Sequence, residues 1–249
     1  MFLIESTHLH TAPVELIAEK ITVPSRLPLI SRPRLVDLLE NSLRSCTSTI
    51  LSGRAGTGKT ALAVDFALNS QRKIAWYKVD APEAELPNFF QYLIASIRKH
   101  RPAFGADFLA LVSQKATHDI SLLAEAFVYE LAEGKGDPLL IVIEDLHLVC
   151  DADWLVPFFK RLMPLLPADV HLLITSRTIP PAPLWRMRSK QTLSVIDEET
   201  LAFTRHEAGL LFQRYGISSD HVSIALDHTH GRAAALTRFA STRSQLAIC

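Results

Sequence analysis

Twelve residues, Leu51–Leu62, constrain the fold more than any other part of the chain. They read LSGRAGTGKTAL, and Gly53, Gly58, Lys59 and Thr60 meet the spacing G-x-x-x-x-G-K-[ST] without a mismatch. Such a loop works only where a strand delivers it and a helix leaves it. Its glycines turn backbone N–H groups inward onto phosphate oxygens, and the helix N-terminus points positive potential at the same place. Both flanks fit. Ser48–Ser52 is a short β-rich run, and Ala61–Asn69 sets Leu62, Ala63, Phe66 and Ala67 on one helical face. A chance match to the motif is on the order of one per cent in a chain of average residue usage.

The rest of the chain alternates in the same way. Lys73–Val79 (KIAWYKV) reads as a strand, and LLIVI at Leu139–Ile143 as a strand buried on both faces. VHLLIT at Val170–Thr175 and TLSVI at Thr192–Ile196 complete the set. Helical spacing appears at Arg34–Arg44, at Asn88–Ile97 (Phe89, Leu93, Ile97) and around Leu123, Phe127 and Leu131, where Gly134 stops the helix. A further helix is expected around Trp154–Met163. Strands alternating with helices imply an α/β fold, a parallel sheet with helices on both faces. After Asp197 the pattern changes: Thr204–Tyr215, Ser219–His228 and Ala233–Leu246 read as helices with no strand between them. The expected division is therefore a nucleotide-binding domain over residues 1–197, opened by a proline-punctuated arm, and a small helical domain over 198–249.

Composition narrows the function. Lys+Arg and Asp+Glu both number 26 among 249 residues, so net charge gives no reason to expect nucleic acid or an anionic membrane as partner. Three scattered cysteines (Cys46, Cys150, Cys249) form neither a metal-ligand spacing nor a disulfide framework, which fits a reducing cytoplasm. The start, MFLIESTHLH, lacks the basic and long apolar regions of a signal peptide, and no apolar run reaches membrane-spanning length.

The candidate chemistry follows from the loop. Gly53, Ala55, Gly56, Thr57, Gly58, Lys59, Thr60 and Ala61 would cradle phosphates, with Lys59 on the outer phosphates and the Thr60 hydroxyl on Mg²⁺. Glu144 and Asp145 end the most apolar strand at the sheet edge where ligands collect. One carboxylate would hold the Mg²⁺ shell, partly through water, and the other would orient an attacking water. Arg177 ends VHLLITSR at the same edge, where a guanidinium can reach a terminal phosphate. Arg186, Arg188 and Lys190 form a basic cluster before the last strand, and His228 and His230 lie in a loop without further metal ligands nearby.

In order, SGRAGTGKT, IAWYKVD, NFFQYLIASI, LLIVIEDLHLV, LLITSR and LAFTRHEAGLLF resemble the nucleotide-binding module of the signal-transduction ATPases with numerous domains, in the branch of the large LuxR-type regulators. The resemblance spans roughly residues 20–240. It implies an ATP/ADP switch with slow hydrolysis and self-association or partner binding in the ATP form. It also implies adenine over guanine. Arg32, in PLISRPRL, is similar to the family's arginine near the adenine. HGRAAAL is similar to the closing Gly-x-Pro, supplying Gly231 but Ala233 in place of proline. The family's acidic pair is mostly two aspartates; here Glu144 comes first, and the resemblance implies Glu144, with its longer reach, on Mg²⁺ and Asp145 as the candidate base. Family members usually continue into a winged helix, helical repeats and a DNA-binding helix-turn-helix, so DNA binding by this chain itself is not expected. A ring-forming remodelling ATPase, with Arg186 or Arg188 reaching across a subunit interface, and a non-hydrolysing scaffold both remain open.

Overall fold

The computed structural model describes residues 16–25, 28–113, 119–134 and 136–246. The start of the arm and Cys249 lie outside the described residues. Five strands form one sheet: β1 (Ser48–Ser52), β2 (Lys73–Lys78), β3 (Leu139–Glu144), β4 (Val170–Ser176) and β5 (Leu193–Ile196). Their order across the sheet is β2-β3-β4-β1-β5, and every neighbouring pair is parallel. Eleven α-helices accompany them among the described residues: α1 (Pro33–Ser45), α2 (Lys59–Asn69), α3 (Leu86–Arg98), α4 (Ala106–Ser113), α5 (Ile120–Glu133), α6 (Leu155–Leu162), the four-residue α7 (Ala182–Trp185) and α8 (Glu198–Leu201), α9 (Arg205–Arg214), α10 (Val222–Thr229) and α11 (Ala233–Leu246).

Alternation along each strand divides the core in two. Ile50, Ala75, Tyr77, Ile141, Ile143 and Ile174 turn to one face, where α3, α5 and α6 cover them. Leu51, Trp76, Leu140, Val142 and Leu173 turn to the other and meet α1 and α2. The first face is aromatic at its centre. Phe90 packs against Phe108, Phe127 and Phe158 with ring centroids 4.8, 6.0 and 4.9 Å apart. Such pairs contribute about 0.5–1.5 kcal/mol each beyond the area they bury.

Three elements differ from the sequence reading. ADFLALVS forms α4, a helix whose apolar residues run on without a clear period. Gly105, at φ 80°, turns the chain into it, and the Glu130 carboxylate accepts from the Gly105 and Phe108 amides. The proline-rich IPPAP segment leads into α7 and a 3-10 turn at Arg186–Lys190 before β5. Ser219–His228 divides into a 3-10 turn at Ser219–His221 and α10.

After β5, Asp197 caps α8, its carboxylate accepting from the Thr200 amide at 2.9 Å. A reciprocal cap opens α9: Thr204 accepts from the Glu207 amide while Glu207 accepts from the Thr204 amide. Helices α9, α10 and α11 enclose a third cluster built on Ala208, Leu211, Phe212, Val222, Ala225, Leu236 and Ala240. No helix among the described residues is long and apolar enough to cross a membrane.

Candidate functional site: the phosphate loop and its helical cover

Because β4 lies between β1 and β3, three chain segments leave the sheet side by side. The loop follows Ser52, the acidic pair closes β3, and Arg177 follows Ser176, which pairs in register with Ser52. All three leave at the C-terminal edge, where parallel sheets bind ligands.

The loop needs its glycines. Gly56 and Gly58 sit at φ 81° and 93°, in the left-handed region. At Gly56 a Cβ would also lie 2.8 Å from the Ala234 Cβ. The Thr57 hydroxyl donates to the Arg54 carbonyl at 3.0 Å and fixes the bend. Lys59, buried at the first turn of α2, donates from Nζ to the Gly53 and Arg54 carbonyls at 2.5 and 3.0 Å. Burial pulls its pKa down, Asp145 opposes that, and Arg177 reinforces it.

Thr60 and Glu144 meet directly: the Thr60 hydroxyl donates to Glu144 Oε1 at 2.6 Å. Glu144 is only 4% exposed, and its Oε2 is buried without a partner. A hydroxyl and a carboxylate with a spare lone pair are hard oxygen donors, which suits Mg²⁺. Among the described residues no group of three or more His, Cys, Asp or Glu side chains is arranged to hold a metal. A small magnesium set completed by phosphate and water oxygens does not require one. Asp145 follows in a left-handed conformation (φ 60°), its amide donating to Thr175 Oγ1 at 3.0 Å. Arg177 is exposed, and its charge acts on Lys59.

Beside the loop lies a cavity of about 1020 Å³. Ile30 and Arg32 border it on the arm side, Thr60, Ala61 and Asp65 on α2, and Phe203 and Ala233 on the C-terminal helices. Arg32 donates from Nη2 to the Leu201 and Ala202 carbonyls at 2.9 and 3.0 Å and to Glu207 Oε2 at 3.1 Å. It also lies over the Phe203 ring at 4.1 Å, while its buried Nε has no partner. Burial pushes the Glu207 carboxyl up, but the hydrogen bonds from Arg32 and the Thr204 amide outweigh it and hold the pKa below its ordinary value.

Gly231 does not line this cavity. It borders a smaller one, of about 240 Å³, with His228 and His230. At φ 71° its carbonyl accepts from the Phe203 amide at 2.8 Å, and a Cβ there would lie 2.8 Å from the same nitrogen. Two residues after this turn, the Ala233 Cβ lies 3.3 Å from where a Cβ at Gly58 would stand. The basic cluster also stands apart. Arg188 stacks on Trp185 at 4.4 Å, and neither Arg186 nor Lys190 borders either cavity.

The C-terminal helices grip the loop itself. The Arg232 guanidinium donates to the Ala55 carbonyl, Nε at 3.0 Å, and the Ala234 amide donates to the Gly56 carbonyl at 2.9 Å. Arg54 pairs with Glu198 of α8 at 2.6 Å. Of these residues the sequence singled out Ala55 and Gly56, but not Arg54, Glu198, Arg232 or Ala234. Only TRHE, with the Ser/Thr-x-x-Glu spacing of a capping box, carried a signal for Glu207.

No protein-family profile matches the chain. It is, however, 32% identical over 204 residues to the HTH-type transcriptional regulator MalT of Vibrio cholerae, a match covering 80% of this chain and 22% of that protein. Against MalT of Yersinia pestis the identity is 31% over 201 residues, with the same coverage. Over that span the chain matches the part of these MalT regulators that corresponds to the P-loop module read from its sequence. The chain thus spans 22% of the length of the curated relatives it matches. Solved structures share its fold. A signal-transduction ATPase with a tetratricopeptide repeat sensor from Pyrococcus horikoshii superposes with a TM-score of 0.62 at 18% identity, over 89% of this chain and 30% of that one. A Walker-type ATPase of Pyrococcus abyssi gives 0.53 at 14% identity, over 88% and 70%.

Proposed function

We propose that the chain is a nucleotide-operated switch: it binds ATP or ADP with Mg²⁺, hydrolyses ATP slowly, and changes its association with a protein partner or a second copy as it does so. The observation that carries this is the Thr60–Glu144 contact at 2.6 Å, which joins the end of the phosphate loop to the acidic edge of β3. Gly53–Ala61 cradle the phosphates, Lys59 swings from the loop carbonyls to the outer phosphates, and the base enters the cavity between Arg32 and the C-terminal helices. Thr60 and Glu144 would hold the Mg²⁺ shell, and the ion would supply charge neutralisation at the phosphate oxygens. Asp145 accepts the proton of a water whose oxygen attacks the terminal phosphorus. The bond to the bridging oxygen breaks, and ADP and phosphate are the products. Arg177 reads the terminal phosphate. Residues 198–246 act as a lid, and Gly231 forms its hinge turn.

We read the chain as a cytoplasmic module with no DNA contact of its own; the half-buried free thiols at Cys46 and Cys150 are in keeping with a reducing compartment. The test is to purify the chain, denature it, identify any released nucleotide, and assay ATP turnover beside Lys59→Ala and Asp145→Asn. Bound adenine nucleotide with slow turnover, abolished in both variants, is the expected result. No nucleotide and no turnover at saturating ATP would overturn it.

A further inference from the structure

The chain makes a single 3-10 turn, Leu146–Val149, directly after the acidic pair. That turn brings the His147 ring back beside Asp145, with Nδ1 3.8 Å from Asp145 Oδ1. The His147 side chain is 11% exposed, and both ring nitrogens are buried with no hydrogen-bond partner. Buried polar atoms are nearly always satisfied, and leaving them unpaired costs free energy. An unpaired ring at this place calls for a function.

Its surroundings indicate one. Besides burial, the groups that act on the ring are Asp145, Arg177 and Lys59, all from the phosphate end of the site. Burial and the two cations outweigh Asp145 and keep the imidazole neutral near neutral pH, with one N–H to give. The Asp145 backbone is already fixed by its left-handed turn and by the amide bond to Thr175. What stays free is the carboxylate's rotation, and the ring stands beside it, Nδ1 3.8 Å from Oδ1. Of the two tautomers, only the one protonated at Nδ1 avoids setting a lone pair against a carboxylate oxygen.

We propose that His147 is a positioning residue: its Nδ1–H holds the Asp145 carboxylate in the orientation needed to align a water against the terminal phosphate. This rests on the hydrolytic reading above. The 3.8 Å separation closes to a hydrogen bond as substrate binds, the usual tightening between resting and reacting geometries. The logic is that of a catalytic base oriented by a third group.

The test compares His147→Ala, His147→Asn and His147→Gln in the full chain. It measures ATP turnover, KM and the affinity for a fluorescent ADP analogue, with circular dichroism as the folding control. An asparagine amide can reproduce a donor at the Nδ1 position; a glutamine amide reaches the Nε2 position instead. The expected result is a loss in kcat of about tenfold to a hundredfold for Ala and Gln, the scale of losses from misplaced catalytic groups. KM and ADP affinity stay at the parent values, and Asn restores most of the turnover. Equal losses in all three variants would make the ring a packing element and overturn the proposal, as would an unchanged Ala variant. A parent that binds ATP without turning it over would also overturn it while leaving nucleotide binding intact. A parent that binds no nucleotide would instead bring down the underlying function.

Discussion

Arg232, at the turn into α11, donates from its guanidinium to the carbonyl oxygen of Ala55 in the phosphate loop, with Nε at 3.0 Å. The Ala234 amide does the same to Gly56 at 2.9 Å. The cover over the loop is therefore bonded to the loop's backbone, not merely packed beside it. In Arg232→Ala one of these bonds is gone and the lid opens more often. ADP release should accelerate about three- to tenfold, the equivalent of one modest hydrogen bond. Stopped-flow displacement of a fluorescent ADP analogue measures it, and an unchanged off-rate would show that the lid opens elsewhere.

Thr60 and Glu144 give a metal-specific prediction. In Thr60→Ala, ATP affinity with Mg²⁺ should fall by about tenfold, while binding in EDTA should be unchanged, because the hydroxyl serves the ion and not the phosphates. Thr60→Ser should keep the parent behaviour. Titrations with and without Mg²⁺ decide between a ligand and a loop-shaping hydroxyl.

The buried Arg32–Glu207 pair joins the arm to α9. Removing one partner strands the other, so Glu207→Ala should lower unfolding stability by about 3 kcal/mol. The Glu207 carboxyl is held below its ordinary pKa of 4.5. Its contribution is therefore complete above that value and lost as pH falls through the lower folded value. Denaturant midpoints of parent and variant should converge in strong acid; a constant gap at all pH values would contradict the assignment.

His171 of β4 makes the opposite kind of group, a histidine buried neutral. Its Nε2 meets Thr49 Oγ1 at 2.9 Å, and burial lowers its pKa from 6.5 to about 4. The unfolded chain takes up the proton first, so stability is full above pH 6.5 and declines toward pH 4. Between pH 7.5 and pH 5 this one residue should cost about 2 kcal/mol, and His171→Gln should flatten the slope over that range. Urea unfolding at the two pH values tests it.

How much of this was legible beforehand depended on whether the signal was local. SGRAGTGKT and IED are continuous in sequence, and the strands that carry them are apolar runs with clear ends, so the loop and both acids could be placed without coordinates. The helix α4 was missed because ADFLALVS has no clean period and its start depends on Glu130, twenty-five residues ahead of Gly105. The lid contacts were invisible for the same reason. Arg232 and Ala55 are 177 residues apart, and nothing in either neighbourhood names the other. Gly231 was recognised as special, but its constraint proved to be the Phe203 backbone and not the cavity wall. His147 lay inside a motif already singled out, yet only burial of both ring nitrogens separates it from an ordinary loop histidine.

The third cluster, around Ala208, Leu211, Phe212 and Leu236, includes no residue of the loop or the acidic pair, and in the proposed switch it would set how firmly α11 is held and how long the loop stays covered. On that proposal the pace of the cycle is separated from its chemistry. Small apolar exchanges in those helices can lengthen or shorten the memory of a bound nucleotide while Lys59, Glu144 and Asp145 stay as they are. A chain built this way keeps its clock in one place and its catalyst in another.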